Sequence, residues 1–560
     1  MSAQRTVRRL ITYALLFALV VIAAVGLGGL LGRLFVTGTE LAVDDVAGLA
    51  RSLAFALIGG PLAAVLWWVV WRRLEDPEER SAVGWGLYVT GAYLVALLIA
   101  STNLINTLSS LIGGPGQEWR LSLATGLVWA AVWVWHRWMW RHPRKGPAEL
   151  AEVPTVLGSV LGLVLGVGGA VSALSTLLDA ALRGAAVEAS VGKPWWVSAL
   201  QSLVWAVGGT AVWWWHWKHD GGRRLRTGLA DVALITVGVL GAGILTLAGS
   251  GVALFVALRL LFDRTEALEL LLEPLAPAVA AAAIGCLVWV YHRNIASGRS
   301  ETTLQGGRLV TSGVALVAAA SGIGVIVNSV LAMTATPLAG AGARTLLLGG
   351  ISSLLVGGPV WWLAWRPLEQ AAGTGTATGA GLNARRIYLV AVFGLSAVVA
   401  VVTLLVIGFR LFEFFLSDVS GGSLIDRIRA PLGLLVATGL VFGYHFAVWR
   451  QDRAVLATVG PVRPRTIGHV ILVAGPDSAA LRRVISEVTG AAVTVWTRAD
   501  ARAADLTGVP ALPGGPPGPL QEAGAAQEEQ LAAALHGVSA ARVLVVADQH
   551  GGIDVIPLQG

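Results

Sequence analysis

Charge is what this sequence has least of. Only 13% of its 560 residues are Asp, Glu, Lys or Arg and 55% are hydrophobic, whereas soluble globular chains carry roughly 25% charge. Mean hydropathy is +0.72. Water cannot cover so apolar a surface, which excludes an ordinary soluble protein and requires lipid as the solvent. Cysteine is scarcer still: Cys286 stands alone, in AAAIGCLVWVY. A single cysteine excludes an intrachain disulfide, a zinc knuckle and a CxxC redox pair, and its apolar setting predicts a buried, inert thiol. HExxH, GxSxG, GxxxxGK[ST] and a GxGxxG following a strand are also missing, so the usual enzymatic signatures give no catalytic residue, no cofactor and no metal site. The net charge of +7 would suit nucleic acid, but the cations gather at helix ends instead of spreading over one surface. Membrane topology accounts for them, and no nucleic-acid partner is expected.

Long apolar runs are plentiful, and they come two at a time. Each is long enough to cross a bilayer, which takes roughly 20 residues. The pairs fall at about 8–74, 80–145, 151–220, 223–299, 306–368 and 383–453. The first run, 10–36, follows a basic start but far exceeds the roughly 7–15 apolar residues of a signal peptide, so it reads as a retained helix. The second helix of each pair closes on aromatics and then a base: WWVVWRR (67–73), VWVWHRWMWR (132–141), WWWHWKH (213–219), VWVYHR (288–293), WWLAWR (361–366) and YHFAVWR (444–450). These endings hold 16 of the 23 tryptophans, which marks an internal two-helix repeat whose copies keep one orientation. With the N-terminus inside, 24 Lys and Arg up to residue 465 face the cytoplasm and 11 face the opposite side. That bias puts both termini in the cytoplasm.

The chain changes character at Pro461–Pro464. HVILVAGP (469–476) reads as a strand and DSAALRRVISEVTG (477–490) as a helix capped by Asp or Ser and closed by Gly490; AAVTVWTR (491–498) follows as a second strand. LTGVPALPGGPPGPL (506–520) is an irregular Pro/Gly loop. EEQLAAALHGV (528–538) reads as another helix, and ARVLVVAD (541–548) and IDVIPL (553–558) as a terminal hairpin. The expected fold is therefore an all-α polytopic membrane bundle of about twelve helices over residues 1–460, plus a small cytoplasmic α/β domain over 461–560.

Three groups of residues are candidates for function. Arg72, Arg73, Arg141, Lys145, Lys218, Arg366 and Arg450 close the second helices and predict a Trp-backed rim for anionic lipid headgroups. Asn103, Asn106, Gln201 and Asn328 are polar groups inside apolar runs, which either line a pathway or hydrogen-bond between helices. His136, His216, His292 and His445 lie beside those endings and read as interfacial anchors, with haem or metal ligation and a proton relay as the alternatives. Asp231 near the start of its run reads as interfacial, and the spacing of Arg410 and Glu413 suggests a local ion pair. The Gly-Gly-Pro sequences at 59–61 and 357–359 suggest a kink or a broken helix.

The openings ARRIYLVAVFGLSAVVAVVTLL (384–405) and VRRLITYALLFALVVIAAVGLGGLL (7–31) resemble an uncharacterised bacterial membrane family recorded as a domain of unknown function. Its units also open Arg-Arg-x-Tyr and close on aromatic-basic ends. Arg385, Arg386 and Tyr388 match that opening; in the first copy the tyrosine stands at Tyr13, and the second to fifth copies lack the full opening. The resemblance covers residues 5–453 and implies multi-span membrane domains with no established activity. The function expected is that of a non-enzymatic bacterial plasma-membrane protein whose cytoplasmic domain regulates or binds a protein partner. The alternatives are a transporter or channel, and an intramembrane redox or lipid-modifying enzyme.

Overall fold

The computed structural model describes residues 3–36, 45–114, 118–183, 194–334, 342–373, 379–416, 423–458, 467–475, 478–497, 519–536, 538, 540–548 and 552–558. The chain divides into two compact units, 1–449 and 450–560, with the division inside the last long helix.

Among the described residues twelve long helices make up the first unit, the last running on into the second: α1 Ala3–Val36, α2 Val46–Arg73, α3 Val83–Ser110, α4 Glu118–Trp140, α5 Val153–Arg183, α6 Trp195–Trp214, α7 Gly228–Phe262, α8 Leu275–Ser297, α9 Glu301–Thr334, α10 Ala343–Gly373, α11 Gly379–Leu416 and α12 Leu424–Thr458. Among the described residues, ten helices are long and apolar enough to cross a membrane. The two that fall short are α4 and α6, the second helices of the pairs expected at about 80–145 and 151–220. Tryptophan ranks as mildly polar on hydropathy scales, and these are the helices with the most of it. Both still pair with their neighbours as the other helices do.

Within each pair the helices run antiparallel; in the first five pairs small residues set the distance between them, while in the sixth Phe393 of α11 packs on Phe442, Phe446 and Trp449 of α12. A Cβ on Gly322 would lie 2.6 Å from the Leu354 backbone N, and one on Gly357 2.6 Å from that of Ala319. Gly249 meets Ala278 and Ala282 in the same way. The pairs join by one rule: the first helix of a pair packs on the second helix of the next. Thus α1 meets α4, α3 meets α6, α5 meets α8 and α7 meets α10; Gly324 of α9 touches Gly433 of α12. Such stacking of like units is the arrangement of a repeat protein.

Among the described residues three stretches depart from α geometry into π turns: Phe55–Gly59 in α2, Trp215–His219 at the end of α6 and Leu234–Gly241 in α7. The first precedes Pro61, so the helix absorbs its proline through an extra residue in the turn. The second Gly-Gly-Pro runs through α10 as continuous helix. Cys286 corrects the expectation of a buried thiol: it is exposed on the outer face of α8, because an all-apolar helix gives no sequence signal for which side meets lipid. Arg410 and Glu413 are both exposed and form no ion pair among the described residues; Arg preceding Glu is the weaker order for such a pair.

The second unit holds a four-stranded sheet in the order β2-β1-β3-β4, made of β1 Ile467–Ala474, β2 Ala492–Thr497, β3 Ala540–Ala547 and β4 Ile553–Leu558. β1 is parallel to β2 and β3, and β4 is antiparallel to β3. Helices α13 Ala479–Thr489 and α14 Pro519–Leu535 bury Leu481, Ile485, Leu531 and Leu535 against Val470, Leu472, Val543 and Val545. Gly490 closes α13 in the left-handed region, as read from the sequence. Ser478 makes no capping hydrogen bond, contrary to expectation, and Asp477 lies outside the described residues. So does the loop at 506–518, while Pro519 opens α14 nine residues before the predicted start.

Candidate functional site

The four histidines are buried in the helix packing, which overturns their reading as interfacial anchors. Each has a valine four residues earlier, Val132, Val212, Val288 and Val441, and each Nδ1 sits 2.8–2.9 Å from that valine's carbonyl. A carbonyl only accepts, so Nδ1 carries the proton and Nε2 of the neutral ring is a lone-pair acceptor. All four acceptors have the same origin, and they differ in what meets them.

Tyr88 of α3 donates to His136 at 3.1 Å, across one pair. Tyr93, also on α3, donates to His216 at 2.8 Å across the join to the third pair. There the partner helix α5 presents Gly158, whose Cβ would collide with the His216 ring. The Nε2 of His445 is buried with no partner among the described residues, and Tyr388 of its pair meets Ser312 instead. His292 sits over Gly238 of α7; its one hydrogen bond among the described residues is the Nδ1 contact to Val288, and its Nε2, unlike that of His445, is not a sealed atom. Around it, Trp217 donates to the Tyr291 hydroxyl at 3.0 Å.

A charged knot closes the join between the second and third pairs. Arg137 binds Asp220 with both Nη atoms at 2.8 Å, and Arg141 reaches the same carboxylate at 2.5 Å. The Asp220 side chain is fully buried. Burial pushes its carboxyl up, but the hydrogen bonds and charge of the two guanidiniums outweigh it and hold the group below the usual aspartate range. Similar pairs sit elsewhere: Arg9 on Glu79 at 2.9 Å, and Arg299 on Asp231, which also accepts from Thr303.

The predicted rim separates into two sets. Arg72, Arg73, Lys218 and Arg366 are exposed; Arg72 lies 3.9 Å over Trp68, and Arg366 5.0 Å over Trp362. Arg141 is committed to Asp220, while Lys145 donates to the Trp71 carbonyl at 2.9 Å and to Glu75. Arg450 begins the second unit. The four polar residues all have protein partners. Asn103 donates to Ile99 within α3, Asn106 to Ser122 of α4, and Gln201 to the Ile112 carbonyl just after α3. Asn328 accepts from Arg429 at 3.2 Å, between α9 and α12. The first three gather near one end of α3, and Asn328 stands apart from them.

Sequence reasoning missed the histidine–tyrosine bonds and the Asp220 knot. The common Val-x-x-x-His spacing was a legible signal; the partners, 48 to 123 residues away, were not. A family model described as Domain of unknown function (DUF5671) matches the chain three times, at residues 9–118, 152–269 and 305–440. The matches begin at every second pair, so the family's unit contains more than one of the pairs described above. No curated protein and no solved structure matches the chain.

Proposed function

The chain belongs to this family of unknown function, and we propose that it is a multi-pass membrane protein that works by holding and binding instead of by catalysis. Anionic lipid grips its basic rim on the cytoplasmic side, and the α/β unit serves there as a partner-binding domain. One observation carries the lipid reading: Arg72, Arg73, Lys218 and Arg366 are exposed at the ends of second helices and have no ion-pair partner among the described residues. Two of them are stacked on tryptophan, which holds a cation at headgroup depth. In this orientation the loops between pairs, both termini and the α/β unit share the cytoplasmic side.

Changing these four cations to Gln should lower the anionic lipid retained by purified protein. Each cation near an anionic surface is worth roughly a fivefold change in affinity. Arg141→Gln with Lys145→Gln should leave lipid retention as it is and lower the melting temperature instead, because those side chains face protein partners. Equal lipid content in the quadruple variant and the wild type would contradict the rim.

A further inference from the structure

His292 is 3% exposed, and at the two positions that supply a tyrosine hydroxyl to other histidines it meets none. Its own pair presents Gly238, where Tyr88 serves His136; a Cβ there would lie 2.7 Å from the ring. The preceding pair presents Leu163, where Tyr93 serves His216; Leu163 and His292 together line both voids beside the ring. One void is about 30 Å³, room for a water molecule. The other is an apolar cleft of about 230 Å³ between the third and fourth pairs, walled by Gly162, Gly166, Trp213, Leu287 and His292.

We propose that this cleft binds a membrane-dissolved phenol, a single hydroxylated aromatic ring on an apolar tail, whose hydroxyl donates to His292 Nε2. The chemistry is the protein's own. Two sister histidines are already met by a phenol, at 2.8 and 3.1 Å, and this one lacks its tyrosine. Size agrees, since an apolar cavity of about 150 Å³ admits benzene, so the cleft takes one ring and the first carbons of a tail. The way in is from lipid: Leu287, on the wall, is 69% exposed on the outer face of α8. The backbone is irregular at this place too, because two of the three π turns carry Gly238 and Trp217 to the His292 ring, and such turns recur at functional sites. The inference goes beyond the lipid-rim reading and does not depend on it.

The test uses the purified full-length protein with 4-decylphenol, decylbenzene and 1-dodecanol, each added at equal mole fraction of the detergent micelle. The quantity read is the concentration giving half the maximal rise in melting temperature. The phenol should need about tenfold less than decylbenzene, the effect of one hydrogen bond to an acceptor that no protein group meets. In His292→Phe the two should become equal. If that variant does not fold, Leu287→Trp, at an exposed position, should block the cleft and weaken the phenol. The proposal is overturned if no compound raises the melting temperature, or if phenol and decylbenzene act equally on the wild type, which would mean that water in the smaller void meets Nε2. It also fails if the phenol keeps its advantage in His292→Phe or its full potency in Leu287→Trp, or if dodecanol equals the phenol.

Discussion

Asp220→Ala should destabilise the membrane unit by about 3 kcal/mol, the lower end of the cost of removing one partner from a buried ion pair. The low end applies because Arg137 is mostly buried but Arg141 is nearly half exposed, so solvent still screens one of the two stranded charges. The carboxylate is the shared anchor for two arginines of α4, and it reaches them from the residue that follows the π turn of α6. Losing it loosens the join between the second and third pairs. Replacing Arg137, Arg141 and Asp220 together by Leu should recover most of the loss, since no charge is then left behind. The pH dependence has a fixed sign. A carboxyl held below its unfolded value stabilises the fold above pH ~4 and loses that contribution as pH falls through the folded value. Wild-type melting temperature should therefore drop more steeply in acid than that of Asp220→Ala. Thermal melting in detergent reads both effects; an Asp220→Ala protein that melts with the wild type at neutral pH would show that the knot carries no load.

Two adjacent glycines in α5 should respond in opposite directions to the same added methyl group. A Cβ on Gly169 falls well inside contact distance of the Ala206 backbone nitrogen on α6. Backbone cannot rotate away as a side chain can, so Gly169→Ala must push the two helices apart, at a cost of roughly 1–3 kcal/mol or more. On Gly168 a Cβ meets nothing within 4 Å. There Ala only restricts the unfolded chain and favours helix, a gain approaching ~1 kcal/mol in water. Comparing the two variants by thermal melting removes any general effect of losing a glycine. If both shift the midpoint alike, the close packing of α5 on α6 is not what holds the pair.

Several features could be read from residues alone. The six pairs, the tail's sequence of strands and helices and the closing Gly490 follow from apolar run length, period and turn chemistry. The order of strands in the sheet did not, because β3 reaches its place beside β1 after 65 intervening residues. The histidines misled for a more physical reason. In VWVWHRWMWR, aromatics surround His136 on every side, so the sequence gives no contrast between a lipid face and a protein face. The neighbours that enclose the rings come from other helices, Tyr88 at His136, Tyr93 at His216 and Gly238 at His292. Asp220 reads as a loop residue after a Trp-rich ending, and only the fold brings it to Arg137. The π turns have no local signature: LITVGVLG is as apolar as any ordinary stretch of these helices.

The two-helix unit requires each pair to leave the membrane on the side where it entered. Single cysteines placed in the Cys286→Ser background, labelled from one side of sealed vesicles, test this directly. Asp76→Cys, Gly146→Cys, Gly221→Cys and Gly298→Cys lie between pairs and should all label from the same side. Gly114→Cys and Thr265→Cys lie within pairs and should label only from the other. Any position between pairs that labels together with Gly114→Cys would contradict the two-helix unit and the joins built on it.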